Sequence, residues 1–198
     1  MLNRKIISFT TLGALVFFGL YYTIAPRYLP EKNLSLNATI LKPNQPLADF
    51  NLTDTNGKSF SVTNLKGHWT LLLFGYMGCP DVCPKTLDLL AQTWQIFEQK
   101  KYYPVNFVFA SINSEIPKQQ DLNDYVNHYN SRFLGIFGPG DKMAALTTPL
   151  GIYAKRQGQI IDHTASLILI DPQGRLKAII TPPFAATTLA HDLEILTK

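Results

Sequence analysis

"HWTLLLFGYMGCPDVCPKTLDLLAQTWQIFEQK", residues 68–100, decides the fold. Its opening, His68 to Tyr76, is a continuous apolar run of the kind that forms a strand buried on both faces. From Pro84 onward, Leu87, Leu90, Trp94 and Phe97 recur at helical spacing, and the proline suits a first helical position. The loop between holds both cysteines of the chain, Cys79 and Cys83, with three residues between them. The thiols are therefore expected where a central strand ends and a helix begins.

The same alternation continues outward. "VNFVFASI" from Val105 reads as a second buried strand, "KQQDLNDYVNHY" from Lys118 as a second helix and "LGIFG" as a short third strand. A helix is expected around Lys142 to Leu150. "SLILID" and "RLKAII", joined by Pro172-Gln173-Gly174, read as an antiparallel hairpin, and "AATTLAHDLEIL" as a closing helix. Upstream, Asn56-Gly57 in "LADFNLTDTNGKSFSV" is a strong hairpin signal, so a small hairpin opens the domain. Strands alternating with helices and ending in a hairpin predict a three-layer α/β domain with a mixed sheet over residues 47–198. There is no internal repeat and no low-complexity tract.

Two N-terminal segments precede it. The charge-free stretch Ile6 to Ile24, "IISFTTLGALVFFGLYYTI", would span about 28 Å as a helix at 1.5 Å per residue, enough for a bilayer. Its length, the interfacial pair Tyr21 and Tyr22, and the lack of a small-x-small site before Pro26 favour an uncleaved anchor over a signal peptide. Arg4 and Lys5 before the span direct the N-terminus to the cytoplasm and the remainder to the periplasm or its equivalent. Residues 26–46, "PRYLPEKNLSLNATILKPNQP", are rich in proline and asparagine and read as a tether. The expected organisation is an anchor over 1–25, a linker over 26–46 and a domain over 47–198.

The 198-residue chain carries a net charge of +4 but no basic cluster, which argues against nucleic acid as a partner. Attention therefore falls on the cysteines. A structural disulfide closing so short a loop would contribute about 2 kcal/mol, which a domain this large hardly needs. A thiol at a helix N-terminus is instead made reactive by unpaired N–H groups and the helix dipole. Three intervening residues let the sulfurs meet as a disulfide or as two ligands on one soft ion such as Cu(I).

A third ligand would come from the four histidines. His68 precedes a buried strand and is expected to cap a turn, while His128 and His191 fall on surface helices. His163 stands apart in "IIDHTASLILID", immediately before a central strand, at the end of the sheet where the cysteine loop is expected. A methionine at a strand end is ordinarily a packing residue, and Met77 is read so.

"FGYMGCPDVCP" followed by "DHTASLILIDPQGR" resembles the Sco/SenC family of membrane-anchored copper proteins, which serve assembly of the Cu-A centre of cytochrome c oxidase. The resemblance covers most of residues 47–198. It implies a thioredoxin-like fold with extra N-terminal elements and copper bound by Cys79, Cys83 and His163, as Cu(I) and in some members Cu(II). It also implies that the two cysteines cycle between dithiol and disulfide, and that Asp162 orients His163. The implied partners are the oxidase subunit carrying the Cu-A site and other periplasmic copper chaperones or thiol proteins. The implied place is the bacterial inner membrane, crossed once, with the C-terminal domain in the periplasm. Three departures stand out: "SINSEIPKQ" replaces the family's aspartate-rich "DPxRDTP" segment, with Asn113 for the first aspartate; "YAKRQGQIID" is shorter than usual; and Gly78 replaces a bulkier residue.

The leading expectation is thus a copper-binding assembly factor, a metallochaperone. The alternative is an enzyme, a periplasmic thiol–disulfide reductase that needs Cys79 and Cys83 but not His163. A peroxidase lacks the threonine and arginine constellation around a single cysteine, and structural zinc needs four ligands where three can be named.

Overall fold

The computed structural model describes residues 38–113, 116–157, 160–163, 165–182 and 184–198, with backbone alone for 41–45, 154–157 and 160–163. The anchor expected over residues 6–24 and the first part of the tether lie outside the described residues. No helix among the described residues is long and apolar enough to cross a membrane.

The chain runs β1 (Ala38–Pro46), β2 (Asn51–Asp54), β3 (Ser59–Ser61), α1 (Val62–Leu65), β4 (Thr70–Gly75), α2 (Val82–Lys100), β5 (Asn106–Ser111) and α3 (Gln119–Tyr129). It continues with β6 (Leu134–Phe137), α4 (Gly140–Thr147), β7 (Ala154–Gln157), β8 (Ile160–His163), β9 (Leu167–Ile170), β10 (Arg175–Ile180) and α5 (Ala186–Leu196). Eight strands form one sheet in the order β1-β10-β9-β4-β5-β6-β2-β3. Its centre, β4-β5-β6, is parallel and the flanks are antiparallel, so the sheet is mixed as expected.

The apolar run 68–76 yields β4, buried along its whole length because both faces are covered. Leu71 and Leu73 pack on one side with Leu87, Leu90 and Phe97 of α2, Val126 of α3 and Leu193 of α5. Leu72 and Phe74 pack on the other with Leu65 of α1 and with Met143 and Leu146 of α4. Two helical layers on one sheet give the predicted three-layer domain.

The two hairpin turns share one device. At Asn56-Gly57, Asp54 Oδ1 accepts the Asn56 and Lys58 amides at 2.8 Å each, and Gly57 takes φ +76°. At Pro172-Gln173-Gly174, Asp171 Oδ1 accepts the Gln173 and Arg175 amides at 2.9 and 3.0 Å, and Gly174 takes φ +75°. The expected opening hairpin, β2–β3, joins the sheet through antiparallel pairing of β2 with β6.

Three expectations are corrected. The tether read over residues 26–46 is, from Ala38, an edge strand paired antiparallel with β10. Its prolines concealed it: an edge strand can dispense with donors on its open side, and the register shifts between Ile40 and Gln45, around Pro43. Pro84 is the third residue of α2 rather than the first, still within the turn whose N–H groups lack helical acceptors. Residues 153–162, "YAKRQGQIID", expected as a loop before His163, hold most of the β7–β8 pair, whose strands pair only with each other among the described residues.

Candidate metal and redox site

β4 ends at Gly75, the chain turns through residues 76–81, and α2 begins at Val82, so both cysteines lie at the expected strand-to-helix junction. Neither is in a disulfide and both are buried, Cys79 at 9% exposure and Cys83 at 0%. The turn is closed by the Cys79 amide, which donates to the Tyr76 carbonyl at 3.1 Å. Asp81 occupies the N-cap of α2 but makes no side-chain capping bond; it pairs at the surface with Lys85 at 2.6 Å. Instead the Cys83 amide, one of the N–H groups a helix leaves unsatisfied, donates to Cys79 Sγ at 3.4 Å. The sulfur thus takes the capping position that the Asp81 side chain leaves open.

Cys83 has the opposite surroundings. Its thiol is pushed up from 9.0 to about 12, chiefly by burial and then by the Cys79 side chain, while the Tyr76 backbone amide pulls the other way. Room for this sulfur is made by Gly75: a Cβ there would lie 2.5 Å from Cys83 Sγ and 3.0 Å from the Phe109 ring. The glycine in "LLLFGY" is the signal that sequence reasoning passed over, since a lone glycine at the end of a buried strand marks a close approach.

The pair is thus chemically unequal. Cys79 is nearer solvent and accepts an amide, while Cys83 is a deeply buried, protonated thiol. Two convergent sulfurs suit a soft ion.

His163 is the last residue of β8, its backbone in register with Ala154, and Asp162 is in register with Lys155. Both side chains lie outside the described part, and among the described residues no three His, Cys, Asp or Glu side chains gather for a metal. The backbone path is informative: Leu167, which opens β9, pairs with Leu73 near the end of β4. β9, the strand that follows β8, thus begins at the end of the sheet where the cysteine loop leaves it.

The other histidines are accounted for. His68 Nε2 bonds the Asn64 carbonyl at 2.8 Å, closing the turn after α1, as expected. His128 is exposed on α3 with its ring 5.1 Å from that of Tyr129, and His191 is exposed on α5, 3.5 Å from Asp192. Met77 packs against the core on the α2 face, again as expected.

A model of the SCO1/SenC family matches residues 39–198, nearly the whole of the described chain. The chain belongs to the SCO1/SenC family. This SCO1/SenC chain is 30% identical over 172 residues to an SCO2-like protein of Rickettsia felis, with 83% of each chain covered. Copper-bound ScoI of Bradyrhizobium japonicum is similar at 30% identity with a TM-score of 0.67, over 76% of this chain and 99% of that one. Copper-bound ScoI of Arabidopsis thaliana is similar at 25% identity with a TM-score of 0.68, over 75% and 94%. The SCO1/SenC match begins at residue 39, inside β1, which agrees with a domain that starts before Leu47.

Proposed function

We propose that this SCO1/SenC protein is a membrane-anchored copper-binding assembly factor that holds Cu(I) as cargo through Cys79, Cys83 and His163 and serves the Cu-A subunit of cytochrome c oxidase. The observation that carries the reading is the pair of buried cysteines, not joined in a disulfide, at the start of α2 in a chain similar to two copper-bound ScoI structures. The reading also includes a single N-terminal span and a periplasmic domain, supported by the apolar stretch 6–24 and the basic residues before it. Asp162 beside His163 would fix the imidazole orientation.

Loading makes unequal demands on the two sulfurs. Cys79 already accepts an N–H from the helix start. Cys83 must first lose a proton that burial holds on it. Uptake therefore releases protons and copper affinity rises with pH.

A second reading, thiol–disulfide reductase for periplasmic proteins, is favoured by the same inequality, since Cys79, the sulfur nearer the surface, suits attack and the fully buried Cys83 suits resolution. Anaerobic Cu(I) titration against a chromophoric chelator separates the two, using wild type and His163→Ala. One tight equivalent, weakened at least about 100-fold in the variant, is the expected result. Equal affinity in both proteins would remove His163 from the site and leave the cysteines as a redox pair.

A further inference from the structure

At the end of the sheet opposite the cysteine loop, the face covered elsewhere by α1 and α4 carries a cleft of about 300 Å³. α1, only four residues long, leaves it open. The floor is apolar: Val108 and Leu134 lie in register on β5 and β6, and Phe60 lines the cleft from β3. Around this floor the face turns polar. Thr70 and Asn106, in register at the starts of β4 and β5, stand where strand alternation continues the rows of Leu72 and Phe74 and of Val108 and Ala110. Polar side chains at the ends of core rows belong to a wetted cleft rather than to packed core.

Two opposite charges line the cleft without pairing. Asp54, in register with Ile136 on β6, is only 7% exposed. Its Oδ1 accepts the Asn56 and Lys58 amides, which leaves Oδ2 for an incoming donor. Arg132, just ahead of β6, has its guanidinium carbon 6.0 Å from the centroid of the Trp94 ring, and its amide donates to Asn130 Oδ1 at 2.9 Å. Stacking steadies a guanidinium while leaving its N–H donors unused. Among the described residues neither Asp54 nor Arg132 is in an ion pair.

We infer that this cleft binds a small zwitterion, an aliphatic α-amino acid, with its ammonium group on Asp54, its carboxylate on Arg132 and its side chain on Phe60, Val108 and Leu134. Arginine matches a carboxylate with two parallel N–H donors, and a nearly buried carboxylate oxygen gains most from a charged donor. Clefts that hold small molecules begin at about 300 Å³ and join an apolar lining to a few placed polar groups, as here. The site shares no residue with the cysteine pair, so the inference goes beyond the copper reading and stands or falls without it.

The test is an NMR titration of the copper-free full chain with three probes: L-leucine, leucinamide, which lacks the carboxylate, and isocaproate, which lacks the ammonium group. L-Leucine is expected to bind with a Kd of about 1 mM, in keeping with so few atoms, and to shift the amides of Phe60, Val108 and Leu134 but not those of Cys79 and Cys83. Each truncated probe should bind about tenfold more weakly, the size of one hydrogen bond to a charged group. Arg132→Gln should weaken L-leucine about tenfold and make it equal to leucinamide. Asp54→Asn keeps an oxygen for the two turn amides, removes the charge, and should make L-leucine equal to isocaproate. Equal binding of all three probes to wild type would reduce the cleft to an apolar hollow and overturn the inference. So would the absence of shifts at the three cleft amides at about 10 mM L-leucine, or shifts centred on the cysteines instead.

Discussion

The two stretches that supply the proposed ligands are built in opposite ways. The cysteine loop is an outgrowth of the core: it springs from β4, buried along its length between two helical layers, and one of its sulfurs fills a hollow left by a glycine. The β7–β8 hairpin that ends in His163 pairs only with itself and takes no place in the eight-stranded sheet. On the proposed reading, folding the domain places the two cysteine ligands, whereas His163 depends on a local pairing outside the eight-stranded sheet. Such a division lets the grip on a metal be altered at the hairpin without disturbing the fold.

The sharpest way to break this contrast is Gly75→Ala. The new methyl must displace either Cys83 Sγ or the Phe109 ring inside the core, so a loss of about 2–3 kcal/mol of unfolding free energy is expected in denaturant titrations. An undiminished stability would show that the cysteine loop is not set by the core after all.

A smaller effect follows from the buried thiol. Because Cys83 is raised from 9.0 to about 12 in the folded state, its contribution is fully present below about pH 9 and is lost as pH rises through about 12. The unfolded chain gives up the proton first, so reduced protein should lose roughly 1 kcal/mol between pH 9 and pH 10, and Tyr125, also raised, steepens the fall above that. Cys83→Ala should flatten the slope in that window, which equilibrium unfolding at several pH values would reveal.

The smallest stability effect is expected at the hairpin. Ala154→Pro removes an N–H and fixes φ opposite His163, yet an isolated two-stranded ribbon adds little to a domain, so under about 1 kcal/mol should be lost. Copper affinity should nevertheless drop in this variant as it does in His163→Ala. A large stability loss would mean that the hairpin is part of the cooperative unit.

What was legible in the sequence follows this same line. Strands whose burial requires unbroken apolar runs, β4, β5 and β9, were readable because both faces are covered, and helix α2 because one face is. Both hairpin turns were readable from Asn-Gly and Pro-Gln-Gly. β1 was not, since Pro43 and Pro46 made an edge strand look like a tether, and neither was β7–β8, whose four-residue strands are too short to show a periodic pattern.

The same holds for the site. Cys79, Cys83 and their place at a helix start could be named from spacing alone, because capping and helix polarity are local properties of the chain. The inequality of the two sulfurs and the need for Gly75 could not. They arise where β4, β5 and α2 meet, between residues far apart in the chain, and burial there is a property of the assembled layers. Sequence thus determined the chemistry available, two thiols poised at a helix N-terminus. Tertiary structure decided which thiol is held as a neutral acid, because desolvation exists only once the layers have closed over the site.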